Sequence, residues 1–181
     1  MRADGVGPSR EGTQRRLAAA ALLAALWIAS GAAQSGIDPA LLKRLFPTAA
    51  SFSPKGGDPP HIKALTADGK TIVGFAFWTT ELEPLERGYD GPIKMIVGMD
   101  TKGVLTGIIV VEHHEPYGDF SIEPPAFATQ FRGKSIRDAF RVGMDVDAVS
   151  RATISVTSAS RAIRNSARRV ARELLTPDAV K

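Results

Sequence analysis

Cysteine is absent from the 181 residues. A chain without thiols holds no disulfide, no cysteine-ligated iron–sulfur cluster and no lipid-modified N-terminal cysteine, so any redox cofactor must be held by other chemistry. Excess charge is small as well. The formal net charge is +4, and setting aside Arg2, Arg10, Arg15 and Arg16 with Asp4 and Glu11 leaves 19 basic against 17 acidic side chains, or +2. The pI of about 9.6 therefore owes much to the N-terminal segment, and nucleic-acid binding loses its main support. Long apolar runs are missing too: the segment from Leu17 to Ala29, extended at most to Ala33, is at or below the short end of what spans a bilayer. There is no Ser-His-Asp ordering, nucleophile elbow or P-loop, which argues against a self-contained hydrolase.

What the segment 1–34 does contain is ordered. Arg2, Arg10, Arg15 and Arg16 precede the apolar run, and the small residues Ser30, Gly31, Ala32 and Ala33 follow it. A basic start, an apolar middle and a small-residue zone make a secretory signal, and the shortness of the run favours cleavage over anchoring. Arg15-Arg16 is a poor match to the twin-arginine pattern, with Gln14 before it and Ala18 after Leu17. The expected division is a signal over 1–34 and one globular domain over 35–181, for which a hydrophobic content of 44% is sufficient.

Along that domain, Asp38-Pro39 reads as an N-cap followed by a first-turn proline, with Leu41, Leu42 and Leu45 on one face of a short helix ending before Pro47. Ala50 to Ser53 is a candidate edge strand. His61–Thr66 and Thr71–Trp78 flank the turn Ala67-Asp68-Gly69-Lys70, and Ile93–Met99 and Val104–Glu112 flank Asp100-Thr101-Lys102-Gly103, so each pair reads as a hairpin. Short helices are expected over Pro124–Phe131 and Ser135–Phe140. From Val156 to Leu175, Val156, Ala159, Ile163, Ala167, Val170 and Leu174 fall at helical spacing, with Arg161, Arg164, Arg168, Arg169 and Arg172 mostly on the other face. The fold class is α+β: an antiparallel sheet of about four strands, in two hairpins, packed by a long C-terminal helix and short helices. The arginine series is most simply that helix's solvated face, with docking to an acidic redox partner as the sharper reading.

Just ahead of the long helix lies the turn Asp147 to Thr157, dense in hydroxyls. Thr153, Ser155 and Thr157 sit where the first amides of a helix have no intrahelical partner, so side-chain oxygens or a bound phosphate suit the place. Taken alone, such a turn is an ordinary Ser/Thr-capped helix start.

Gly91-Pro92-Ile93, the hairpin, Glu112-His113-His114-Glu115-Pro116, and then Asp147, Ser150, Ala152 and Thr153 before a long helix together resemble the FMN-binding domain of NosR/NirI-type membrane regulators. The same domain type occurs in the C subunit of the sodium-pumping NADH:quinone reductase and the G subunit of the Rnf complex. The resemblance covers Gly88 to Leu175, about half of the chain. It implies that a separate flavin transferase joins FMN through its phosphate to Thr153, that Asp147, Ser150, Arg151, Ala152, Ile154, Ser155 and Thr157 shape or line the cofactor site, and that His114 and Glu115 lie near the flavin. A phosphodiester at a helix N-terminus gains about 0.3–1 kcal/mol from the helix dipole. Attachment also suits an exported carrier, which would otherwise lose its flavin by dilution. The implied role is periplasmic electron transfer with a membrane protein, one that could carry iron–sulfur clusters.

Arg151 departs from the pattern, because the family turn carries glycine there. If that glycine serves a positive φ, arginine costs about 1 kcal/mol and stands against attachment. If the position faces the cofactor, Arg151 can pair with the phosphate or with the electron-rich reduced ring. The first case favours a flavin-free binding or regulatory module of the same fold. Two further residue groups carry readings of their own. His113, His114 and the neighbouring glutamates invite a metal-dependent enzyme, although adjacent residues at a strand end point to opposite faces. Phe75, Phe77, Trp78 and Tyr89 are candidates for packing on a flavin ring, with the strand aromatics more simply core.

Overall fold

The computed structural model describes residues 37–176. The expected export signal and the proline after Thr176 lie outside the described residues. In chain order the elements are α1 (Pro39–Leu45), β1 (Ser51–Phe52), β2 (Ile62–Leu65), β3 (Ile72–Trp78), α2 (Thr79–Leu82), β4 (Lys94–Asp100), β5 (Leu105–Glu112), α3 (Gly118–Ser121), α4 (Pro125–Thr129) and α5 (Thr153–Leu174). The protein is α+β, as expected. Its sheet has five antiparallel strands in sequential order rather than four, because the short β1 pairs with β2 through Ser51↔Leu65 and Phe52↔Ala64.

The first hairpin turn is held by Asp68, whose carboxylate accepts from the amides of Lys70 and Thr71. Gly69, at φ 66°, takes the left-handed conformation that a side chain would resist. The hydroxyls and amides around Asp68, led by Thr66, hold its carboxyl far below the ordinary carboxylate range.

Strand periodicity gives the sheet two buried faces. Phe75, Phe77, Met95, Val97, Met99 and Ile108 point to one core, whereas Ala76, Trp78, Ile96 and Ile109 point to the other. Helix α5 covers the first face through Val156, Ala159, Ile163, Ala167 and Val170, all fully buried. Burying a side chain such as Ile163 contributes roughly 1.5–3 kcal/mol. Helix α1, capped by Asp38 at the amide of Ala40, covers the second face with Leu42 and Leu45, joined by Phe46 just beyond its end. Burial on both faces explains why β3, β4 and β5 read as near-continuous apolar runs instead of alternating ones.

Two expectations are corrected. Ser135 to Phe140 is not a helix. Its approach pairs with the open edge of β5, the amides of Leu105 and Gly133 exchanging bonds with the carbonyls of Lys134 and Leu105 at 2.8 Å each, and Ile136 donates to Gly103. Asp138 then accepts from the amide of Ser135, closing a turn where a helix would need i→i+4 bonds. The arginines of α5, in turn, are more than a solvated face. Arg161 forms a two-pronged pair with Glu86, Arg168 donates to the carbonyls of Ile136 and Asp138, and Arg169 to that of Leu82. The hydrogen bonds that Arg161 donates to the Glu86 carboxylate push Arg161 up in pKa, and burial, with Arg164 and Arg172 nearby, pushes Arg168 down. These side chains pin two long connections to the helix.

Candidate functional site

The N-terminus of α5 meets the β5–α3 connection and the loop before β4, and the three enclose a pocket of about 430 Å3 lined by Tyr89, Pro116, Tyr117 and residues 151–155. That volume lies within the range of small-molecule sites, about 300–1,000 Å3. Each wall has a sequence origin.

The floor is the turn. The amide of Ala152 donates to the carbonyl of Val149 at 3.1 Å, closing a β-turn with Ser150 and Arg151 at its centre. Arg151 occupies the third position with φ 67°, the place and sign for which glycine is the unstrained choice. The helix begins at once: Val156 bonds back to Ala152, and Ala152 offers no side-chain cap. The amides of Thr153, Ile154 and Ser155 therefore precede the first intrahelical donor. Thr153, exposed at the first helical position, presents its hydroxyl beside them.

The wall behind the turn is organised by Glu115, which is buried at 6% exposure. Its carboxylate accepts from the amides of Tyr89 at 2.9 Å and Asp90 at 3.0 Å, and from the hydroxyl of Ser155. One side chain thus ties three segments that are far apart in sequence, and its charge is met by three donors. The loop can approach this closely because residue 88 is glycine; a Cβ there would fall 2.6 Å from Cδ of Glu115. His113 braces the same connection. Its Nδ1 accepts from the amide of Glu115 at 3.1 Å and its Nε2 lies 2.9 Å from Glu123, which fixes the proton on Nε2 in the neutral ring.

The turn is approached through Asp145. Burial alone would raise its pKa, but the amides of Arg141 and Phe140 and the ammonium of Lys134 outweigh burial and hold it below its ordinary value of 3.8. Asp147 is then fixed by its amide, which donates to Gln130 at 2.7 Å.

Among the residues that the sequence put forward, Arg151, Ala152, Thr153, Ile154 and Ser155 line the pocket. Asp147, Ser150, Thr157, His114 and Glu115 do not. Asp147 and Ser150 are exposed on the approach to the turn, Thr157 is half-buried one helical turn beyond Thr153, and His114 is exposed at the strand end. The hydroxyl of Ser155 is turned inward to Glu115. Phe75, Phe77 and Trp78 are buried in the cores, whereas Tyr89 is 69% exposed on the pocket rim. The sequence reading did not single out Tyr117, whose ring lies 5.4 Å from that of Phe120, or the spacing role of Gly88. The only signal for Tyr117 was its place directly after Glu115-Pro116. Among the described residues, no three of His, Cys, Asp and Glu converge to hold a metal. No helix there is long and apolar enough to cross a membrane.

Comparison with known proteins gives a consistent set of relatives. The family model described as FMN-binding domain matches residues 88–168, a span that includes the Glu115 tie and all of the pocket. The chain is 27% identical over 143 residues to the regulatory protein NosR of Stutzerimonas stutzeri, covering 74% of this chain and 19% of that protein. It is 33% identical over 88 residues to the G subunit of the ion-translocating oxidoreductase complex of Vibrio vulnificus, covering 43% of this chain and 42% of that one. Over 47 residues it is 43% identical to the same subunit of Haemophilus influenzae, covering 26% and 21%. The chain thus spans about a fifth of the NosR proteins and under half of the Vibrio subunit.

Proposed function

From the match of residues 88–168 to the model of the FMN-binding domain, we propose that this protein is an exported electron carrier holding one FMN, esterified through its phosphate to the Thr153 hydroxyl. The observation that carries the reading is the placement of Thr153: an exposed hydroxyl on the first residue of a long helix, opening onto a pocket with tyrosines on its rim. A phosphate there meets the helix amides and the favourable end of the dipole. Tyr89, Tyr117 and Ile154 supply flat and apolar surface for a ring. Bound FMN would supply redox chemistry in one- and two-electron steps. The chain's own part is to hold the phosphate at Thr153, to set the pocket's width through Glu115, and to keep the ring at the surface within reach of a partner.

Electron transfer is supported by the likeness to the G subunit of an ion-translocating oxidoreductase complex. A separate flavin transferase would make the ester, and a membrane electron-transfer protein, with or without iron–sulfur clusters, would exchange electrons with the ring. The basic and apolar N-terminal segment supports a periplasmic setting. Intact-mass measurement tests the reading: protein produced with an active flavin transferase is expected to gain the mass of FMN less one water, and Thr153→Ala to gain nothing. Colourless, unmodified wild-type protein from the same cells sinks the covalent carrier.

One observation favours a second reading. Arg151 stands at φ 67°, where the family turn has glycine, and could keep the transferase away. The protein would then be a flavin-free binding or regulatory module of the same fold, and wild type and Thr153→Ala would both retain the unmodified mass.

A further inference from the structure

We propose that Arg151 sets the redox poise of this site, its guanidinium stabilising the negative charge of reduced flavin and so raising the flavin's reduction potential. The inference rests on the FMN reading above and adds a role for a side chain peculiar to this turn.

Three observations converge. The backbone at Arg151 is held in the left-handed region at φ 67°; a non-glycine residue there costs on the order of 1 kcal/mol, and such strain persists where the surroundings enforce it and often where a site uses it. The side chain lines the pocket together with Thr153, Ile154 and the two tyrosines. Its charge is also unmet. Arg161, Arg168 and Arg169 each donate to a carboxylate or carbonyl, whereas among the described residues Arg151 has no such partner, although it stands only two positions before the attachment point.

The chemistry of reduction selects the complement. Oxidised flavin takes up two electrons and one proton and is left with one negative charge on the ring, so a nearby cation favours the reduced form over the oxidised one. Arg151 is exposed, so water and salt screen the interaction. The expected effect is therefore about tenfold in the reduced-to-oxidised ratio rather than a thousandfold.

The test uses flavin-loaded full-length protein, with loading first established by intact mass, and measures midpoint potentials by dithionite titration against a reference dye. Arg151→Lys keeps the charge, Arg151→Gln removes it with the backbone strain retained, and Arg151→Gly removes both charge and strain, so at least one neutral variant folds. The Lys variant is expected to stay close to wild type. Gln and Gly are both expected to fall by about tenfold in equilibrium, or about 30 mV for a two-electron couple, and the gap should narrow at high salt. A Gln variant at the wild-type potential overturns the proposal and leaves Arg151 as a partner of the phosphate alone. Loss of attachment in every variant overturns it as well, by making Arg151 a recognition residue. Unmodified wild type is a different failure, that of the FMN reading, and is seen in the mass before any potential is measured.

Discussion

Two concavities of this protein differ in a way that separates size from chemistry. The larger, about 890 Å3, is a groove along the outer edge of β5, between that strand, α1 and the α4 region, lined by aliphatic side chains, Arg44, Arg132, Glu112 and Glu123. The smaller, about 430 Å3, lies at the start of α5. Of the two, the smaller brings together an exposed hydroxyl, a row of free helix amides, a guanidinium without a partner among the described residues, and two aromatic rims. It is built from segments distant in the chain, the loop before β4 and the head of α5, tied by one buried carboxylate. The groove is what remains where an edge strand ends its pairing and, among the described residues, nothing else covers it. A site is proposed from convergent polar groups on a supported frame, whereas volume alone would have selected the groove.

The contrast can be broken most directly by flavin content. Thr153→Ala is expected to abolish covalent flavin, whereas Arg44→Ala with Arg132→Ala in the groove should leave the mass and the visible spectrum unchanged; flavin lost from the groove variant alone would reverse the assignment of the two regions. The next largest effect is expected at Glu115. Its replacement by Ala leaves the amides of Tyr89 and Asp90 without their acceptor and should lower the unfolding free energy by about 2–4 kcal/mol. Urea titration reads this, and a change below about 0.5 kcal/mol, the scale of an ordinary surface substitution, would remove Glu115 from the centre of the frame. Gly88→Ala tests the same frame from the other side. With a Cβ 2.6 Å from the carboxyl carbon, overpacking is expected to cost about 1–3 kcal/mol, and the effect should largely vanish when Glu115 is already Ala.

The smallest effect concerns acid. Asp145 is held below 3.8 by its hydrogen bonds to Arg141, Phe140 and Lys134, which outweigh its burial. Its contribution to stability is thus present above pH 3.8 and lost as the pH falls through the lower, folded value. Wild-type stability should decline with acid in that range more steeply than that of Asp145→Asn; parallel curves would show that this carboxylate does not support the approach to the turn.

Much of the frame was legible beforehand because it follows local rules. The Asp38 cap, the two hairpin turns and the apolar stripe of α5 are set by residues within a few positions of one another. The start of α5 at Thr153, with no side-chain cap on its first amides, was legible on the same grounds. The segment Ser135–Phe140 was not, because its helical pattern competes with an open strand edge that begins at Leu105, and backbone pairing with β5 wins. Nor could spacing reveal that Ser155 turns inward, since a hydroxyl at the third helical position serves equally well toward an anion or toward a buried carboxylate.

The amino-acid order settled the α+β class, the single long amphipathic helix and the identity of the hydroxyl at its head, because capping, periodicity and turn chemistry are short-range. Three further features were decided by the tertiary structure. It made Glu115 a structural tie, because only folding brings the Tyr89 and Asp90 amides to it. It gave Tyr117 a pocket wall, because β5 delivers the connection after it to the head of α5. And it left Arg151 with a strained backbone and, among the described residues, an unmet charge, because a left-handed turn position and the company a side chain keeps are properties of the assembled chain.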